Sequence, residues 1–251
     1  VPYGSIDPLG LPQLVGVANR LAAPLAWSKT NADIVHETYY TTKPVGHAQR
    51  RIVTVYDMIH ELFADEFPDA KRVTTAKRTA VDRADHVICI SENTQRDLVR
   101  LFDIDATRTS VVHLGYSMTT ETTAAKENNA AGGSSLLYVG GRRGYKNFRT
   151  LLQAYASSPT LQELELVAFG GGPVLPDEQK EIRRLGIADR VRFESGSDRA
   201  LAARYREAAA FVFPSAYEGF GLPPLEAMSH GCPVVCSNAG SIPEVVGDAG
   251  V

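Results

Sequence analysis

The densest chemistry in the chain is the run Pro214–Glu226, PSAYEGFGLPPLE. It follows Phe211–Phe213, which reads as a buried strand. Pro223 and Pro224 then open a helix, where a missing N–H costs nothing. The backbone N–H groups of Phe220, Gly221 and Leu222 are left at that helix N-terminus, and Gly219 and Gly221 let a ligand approach closely. Such a terminus suits a diphosphate or a ring of sugar hydroxyls. Glu218 and Glu226 flank the glycines, and two carboxylates there can accept hydrogen bonds from vicinal hydroxyls. Each also has a plainer reading, Glu218 as a solvated loop charge and Glu226 as a helix-dipole partner.

A second loop, Tyr138–Asn147 (YVGGRRGYKN), follows another apolar run and precedes a helical pattern. Arg142, Arg143 and Lys146 place cations among glycines, which suits phosphate oxygens. The spacing fits neither a dinucleotide fingerprint nor a P-loop. A third loop, FGGGP at Phe169–Pro173, has glycines for close backbone approach. In the first half, Asp57 follows the run Ile-Val-Thr-Val-Tyr, with His60 and Glu61 just beyond; Asp57 is a cleft residue or a helix cap. Ser91 and Thr94 read as N-cap chemistry. Ser241 and Glu244 fit a capping box, the serine capping and the glutamate returning the bond. The pair Asp103 and Asp105 falls in a turn after a helix and reads as surface, so no metal site is expected. No Cys/His cluster suggests zinc.

Several classes are disfavoured by composition. A formal net charge of −3 over 251 residues argues against nucleic acid as the main partner. The three cysteines, Cys89, Cys232 and Cys236, sit in apolar runs and read as reduced thiols of a cytosolic protein. No run approaches the length of a membrane span, and a signal peptide is not expected from the opening residues.

The elements that must position these loops alternate. Strands are expected at 33–36, 52–57, 86–91 and 110–114, then at 136–140, 164–169, 190–194, 210–214 and 233–237, with amphipathic segments between. Runs apolar on both faces point to parallel strands covered by helices on each side. The expected fold class is α/β: two doubly wound, Rossmann-like domains facing a cleft. Residues 1–118 form the first, incomplete domain; 119–135, poor in large apolar residues, form a linker; 136–251 form the second, truncated domain. The extreme N- and C-terminal segments are expected to be lacking. Ligands in such sheets bind at the carboxyl ends of the strands, where all the singled-out loops fall.

The stretch from Tyr138 to Val246 resembles the nucleotide-binding half of retaining glycosyltransferases with the GT-B fold. The match rests on E-x7-E as Glu218 and Glu226, the Gly-Ser-Ile-Pro-Glu-Val segment, and YVG…R…KN with Arg142 and Lys146. In the first half, ADHVICISENTQRDL and VVHLGY resemble the end of the acceptor-side domain. The resemblance implies a cytoplasmic, metal-independent hexosyltransferase without a cofactor, using a GDP- or UDP-sugar donor, mannose being the best guess. The acceptor would be a glycan or a lipid-linked sugar, with work at the inner membrane face, and so peripheral membrane association, left open.

By the same resemblance, Arg142 and Lys146 would grip the diphosphate. Glu218 would hold the transferred sugar and Glu226 the ribose. The amides of Gly219–Leu222 would complete the pocket, the base would rest near Ser195, and Asp57 would face the acceptor. Tyr56 departs from the family, where many members have His, and His60 is the candidate substitute. Alternatives are a sugar-nucleotide hydrolase or epimerase of the same fold, an inactive nucleotide-sugar-binding fragment, or a two-domain ligand-binding protein.

Overall fold

A computed structural model describes residues 31–44, 46–116 and 133–251. Two parallel sheets form, one from each half. The first runs β1 (Asn31–Glu37), β2 (His47–Val55), β3 (His86–Cys89), β4 (Thr109–Val111) in sequential order. The second comprises β5 (Ser135–Val139), β6 (Glu165–Phe169), β7 (Val191–Glu194), β8 (Ala210–Phe213) and β9 (Val234–Cys236), in the order β7-β6-β5-β8-β9. Every expected strand is present. The largest departure is β2, which begins at His47, five residues before the apolar run. Polar cross-strand pairs to β1 carry that extension: Gln49 donates to Asp33 (3.0 Å) and Arg51 to Glu37 (2.5 Å).

Helices α1 (Ile59–Leu62), α2 (Ala70–Arg83) and α3 (Glu92–Phe102) belong to the first half. α2 and α3 cover one sheet face, with Ala80, Val81, Leu98 and Phe102 packed on Val53, Val55, Val87 and Cys89. In the second half, α4 (Phe148–Ser157) and α5 (Pro176–Arg184) cover one face, while α6 (Asp198–Glu207), α7 (Leu222–Ser229) and α8 (Ile242–Val246) cover the other. The strand residues divide by parity. Leu137, Val167, Phe169, Phe211 and Phe213 meet α6–α8; Leu136, Tyr138, Leu166 and Ala168 meet α4 and α5. This explains the doubly apolar runs of the central strands β5 and β6, which are buried on both sides.

In the second sheet β6 and β7 lie on one side of β5, and β8 and β9 on the other. The switch point is therefore between β5 and β8, and ligands of such sheets sit outside the carboxyl ends there. The loops leaving those two strands are 140–147 and 214–221, the two richest in candidate residues. Of the expected linker, 119–132 lies outside the described residues, and Ser135 already belongs to β5. No described helix is long and apolar enough to cross a membrane.

Candidate functional site

Lys146 and Glu218 meet at the switch point. Lys146 Nζ donates to both carboxylate oxygens of Glu218, at 2.7 and 2.9 Å. Lys146 ends a 3-10 turn, Gly144–Lys146, whose cap Asn147 takes the left-handed conformation (φ 56°) and donates its side-chain amide to the Pro214 carbonyl (3.0 Å). Ala216 N–H donates to the Tyr145 carbonyl (2.7 Å). The two loops are thus stitched together before any ligand is considered.

The first domain closes over them. Ser91, fully buried, donates to the Gly219 carbonyl (2.8 Å), and Thr94 Oγ1 lies 3.2 Å from the same oxygen. A Cβ on Gly219 would overlap the Tyr56 carbonyl and stand 2.9 Å from Asp57 Cβ, so glycine is required for this approach. Glu66 accepts from Tyr145 N–H (3.0 Å), lying where a Cβ on Gly144 would go. Phe63 stacks near Tyr145 (5.3 Å) and Tyr217 (6.1 Å). Burial raises the Tyr145 phenol pKa, and the charges of Glu218, Asp57 and Glu66 raise it further.

Asp57 sits one residue before Met58, the N-cap of α1. Its Oδ1 accepts from Ile59 N–H at the start of α1 (3.0 Å), and it faces the Gly219 loop. Beneath it is Lys77, fully buried, donating to the Asp57 carbonyl and to Glu61, both at 2.7 Å. Lys77 was missed because it falls in the inward stripe Val73, Lys77, Ala80, Val81 of α2, where its charge looks like an interruption of an apolar face. His60 packs on Phe67 (4.7 Å between rings), with its Nδ1 buried and without a described hydrogen-bond partner.

Arg142, which the resemblance assigns to the diphosphate, is engaged by groups of the protein itself. Its guanidinium donates to the carbonyls of Gly170 (2.6 Å), Gly172 (3.1 Å) and Pro173 (2.9 Å), and to Glu178 (3.0 Å). A buried guanidinium needs such partners, and the FGGGP loop supplies them. Arg142 lines a cavity of about 370 Å³ with Lys146, Arg143, Tyr145, Glu66 and Phe67, but faces it from behind the glycines.

Glu226 lies in α7, where Tyr205 donates to its Oε2 (2.9 Å). No described hydrogen bond joins it to Lys146 or Glu218. Phe220 is buried, and Gly221 (φ 124°) precedes the first turn of α7. Among the described residues, the N–H groups of Phe220 and Gly221 donate no backbone hydrogen bond. Leu222 opens α7. Ser195 is exposed beyond β7, two strands from the switch point; its neighbour Ser197 caps α6 through Ala200 N–H (3.4 Å).

The Ser241–Glu244 capping box does not form. Ser241 donates instead to the carbonyls of Glu218 (2.9 Å) and Phe220 (2.5 Å), fixing the glycine loop from below. Glu244 crosses to the first domain and accepts from Glu92 N–H (2.7 Å) and Asn93 N–H (3.2 Å) of α3, with His113 Nε2 at 2.7 Å. The local pattern S-x-x-E satisfies the box, but the free amides of α3 across the cleft are the partners it meets. Asp103 ends α3 in the left-handed conformation, and Asp105 accepts from Thr107 N–H (2.8 Å); both act in a turn.

Two facing parallel α/β domains with the site between them define the GT-B class of fold. Comparisons agree. Residues 119–250 match the family described as glycosyl transferases group 1, and residues 3–119 match glycosyltransferase family 4. The chain belongs to the group 1 glycosyl transferase family. It is 34% identical to the Escherichia coli O-antigen chain mannosyltransferase B, across 82% of this chain and 58% of that protein. It is 32% identical to D-inositol 3-phosphate glycosyltransferase 2 of Catenulispora acidiphila, across 86% of this chain and 57% of that protein. Anabaena HepE, solved with UDP and glucose, superposes with a TM-score of 0.65 at 20% identity, covering 94% of this chain and 66% of that one. The chain spans just under three fifths of the length of these two curated relatives.

Proposed function

We propose that this chain carries the donor site and interdomain cleft of a retaining glycosyltransferase that moves a hexose from a nucleoside diphosphate sugar to a glycan or lipid-linked acceptor. The observation that carries the reading is the Lys146–Glu218 pair at the switch point of the second sheet, held against the Asp57 loop of the first. A cation and an acid in contact suit a ligand that presents phosphate to one and hydroxyls to the other. The donor diphosphate would draw Lys146 from Glu218, freeing that carboxylate to accept from the sugar. The N–H groups of Phe220 and Gly221, at the positive end of α7, would share the developing charge. Lysine and amides would thereby do what a divalent metal does elsewhere, so turnover should survive chelators.

Arg142 would act by fixing the 170–173 loop and by its field, and Asp57 would face the acceptor. Retention follows if the acceptor hydroxyl attacks the face the phosphate leaves, the phosphate taking its proton. Mannose from GDP-mannose is favoured by the similarity to the mannosyltransferase; a UDP-sugar is the second reading, favoured by the fold shared with HepE bound to UDP. The test is a thermal-shift panel of nucleotide sugars followed by product analysis with and without acceptor. A ligand at ~100 times its Kd adds ~2.7 kcal/mol of stability. No shift with any nucleotide sugar would sink the reading, and release of free sugar irrespective of acceptor would make the protein a hydrolase.

A further inference from the structure

Tyr205 is fully buried on α6, its ring edge-on to Phe211 (5.5 Å, 80°) and parallel to His230 (5.8 Å, 21°). Only the hydroxyl has polar work to do, and it donates to Glu226 Oε2 (2.9 Å). Burial, then the Glu226 charge and this bond, raise the phenol pKa, so it stays a donor at any working pH. The turn carrying Glu226 is tied down separately. Ser229 Oγ donates to the Glu226 carbonyl (2.8 Å), His230 Nδ1 lies 2.8 Å from the same oxygen, and Tyr116 of the first domain reaches Ser229 (3.0 Å). Glu226 Oε1, by contrast, has no partner among the described residues. A carboxylate offers about four lone-pair sites; the phenol takes one and fixes the plane of the other three.

We propose that Tyr205 is a positioning residue for ribose recognition: its hydroxyl holds one oxygen of Glu226 and so presents the rest of the carboxylate to the vicinal diol of the donor nucleoside. The inference rests on the reading of Glu226 as the ribose contact. A glutamate has three rotatable bonds, and a clamped one loses less freedom on binding. Tyr205→Phe keeps the ring packing and deletes only the clamp.

Calorimetric titration of GDP and UDP, each with its 2′-deoxy and 3′-deoxy counterpart, tests this in the wild type, Tyr205→Phe, Glu226→Gln and the double variant. The wild type should prefer the ribonucleotide over a deoxy analogue by about tenfold or more, and Tyr205→Phe should narrow that to within about threefold while leaving deoxy-nucleotide affinity unchanged. The donor KM should rise by a similar factor with kcat held. The double variant should match Glu226→Gln alone. An unchanged ribose preference in Tyr205→Phe, an equal weakening of ribo- and deoxyribonucleotides, or additive losses in the double variant would each overturn the proposal while sparing the Glu226 assignment. Absence of ribose preference in the wild type would remove both.

Discussion

Lys146→Met tests the centre of the site, because the structure sets two separable costs. The side chains of Lys146 and Glu218 are 23% and 11% exposed. Exposed pairs contribute ~0.2–1 kcal/mol, whereas stripping one partner from a buried pair costs ~3–5 kcal/mol. A pair this shielded but not sealed falls between, so Lys146→Met should lose about 2 kcal/mol. For a protein of this size that is roughly 4–8 °C in Tm. Most of the loss comes from the stranded Glu218 carboxylate. Adding Glu218→Gln should therefore restore most of the stability, giving a coupling of about 1–2 kcal/mol in the double-mutant cycle. Catalysis should behave oppositely. Loss of one preorganised donor costs ~10²–10³ in rate, and the double variant should stay at or below the single. Urea unfolding gives the first quantity and acceptor-dependent sugar transfer the second. A stability loss that Glu218→Gln leaves untouched, or turnover within threefold of wild type, would refute the assignment of Lys146.

Glu244→Ala should cost about 1–2 kcal/mol, the sum expected of a lost helix cap and its charge–dipole attraction. Hydrogen exchange should show the loss at the Glu92 and Asn93 amides, with Thr94 still protected by Ser91. Gly219→Ala should force the Asp57 loop away from the donor loop, since the overlap is with backbone; turnover should fall at least 100-fold while the unfolding free energy of each half changes little, and an unchanged rate would contradict the cross-domain packing. Lys77→Met should destabilise by about 3 kcal/mol, because Glu61 would be left buried without its cation, and Glu61→Gln should recover part of that loss in the same denaturation assay. The Cys89 thiol, pushed up to about 12 by burial, is protonated in the fold well above neutral pH; iodoacetamide at pH 8 should label it only after denaturant is added.

The α/β alternation, both sheets and the two site-bearing loops were legible because parallel strands buried on both faces write themselves as apolar runs. Lys146 and Glu218 were legible together because each follows one of the two strands that flank the switch point. The fates of Arg142 and Glu244 were not, for a shared physical reason: both chose partners brought near only by folding. The FGGGP carbonyls lie 28 residues and more from Arg142, and the α3 amides more than 150 from Glu244. Ser241 and Glu244 had the right local spacing, but local spacing decides only when nothing stronger is within reach. The polar half of β2 lay outside the expected strand because its polar cross-strand pairs leave no apolar signature.

Helix α3 shows why the cleft is where the chemistry assembles. The N–H groups of Glu92, Asn93 and Thr94 at its start have no acceptor within the helix. The Ser91 side chain accepts from Thr94, while Glu244, from the opposite domain, accepts from the other two. Ser91 then uses its hydroxyl hydrogen on the Gly219 carbonyl. One helix end thus binds both the glycine loop and the α8 glutamate of its neighbour. Separating the domains here would leave two amides, one carboxylate and one carbonyl to water, which can satisfy them at little cost, so this part of the contact is directional and reversible, while Phe63 against Tyr145 and Tyr217 adds an aromatic patch beside it. An interface built this way specifies one closed arrangement yet can open, and the proposed transfer, with a donor entering beside Lys146 and a nucleoside diphosphate leaving, would require both.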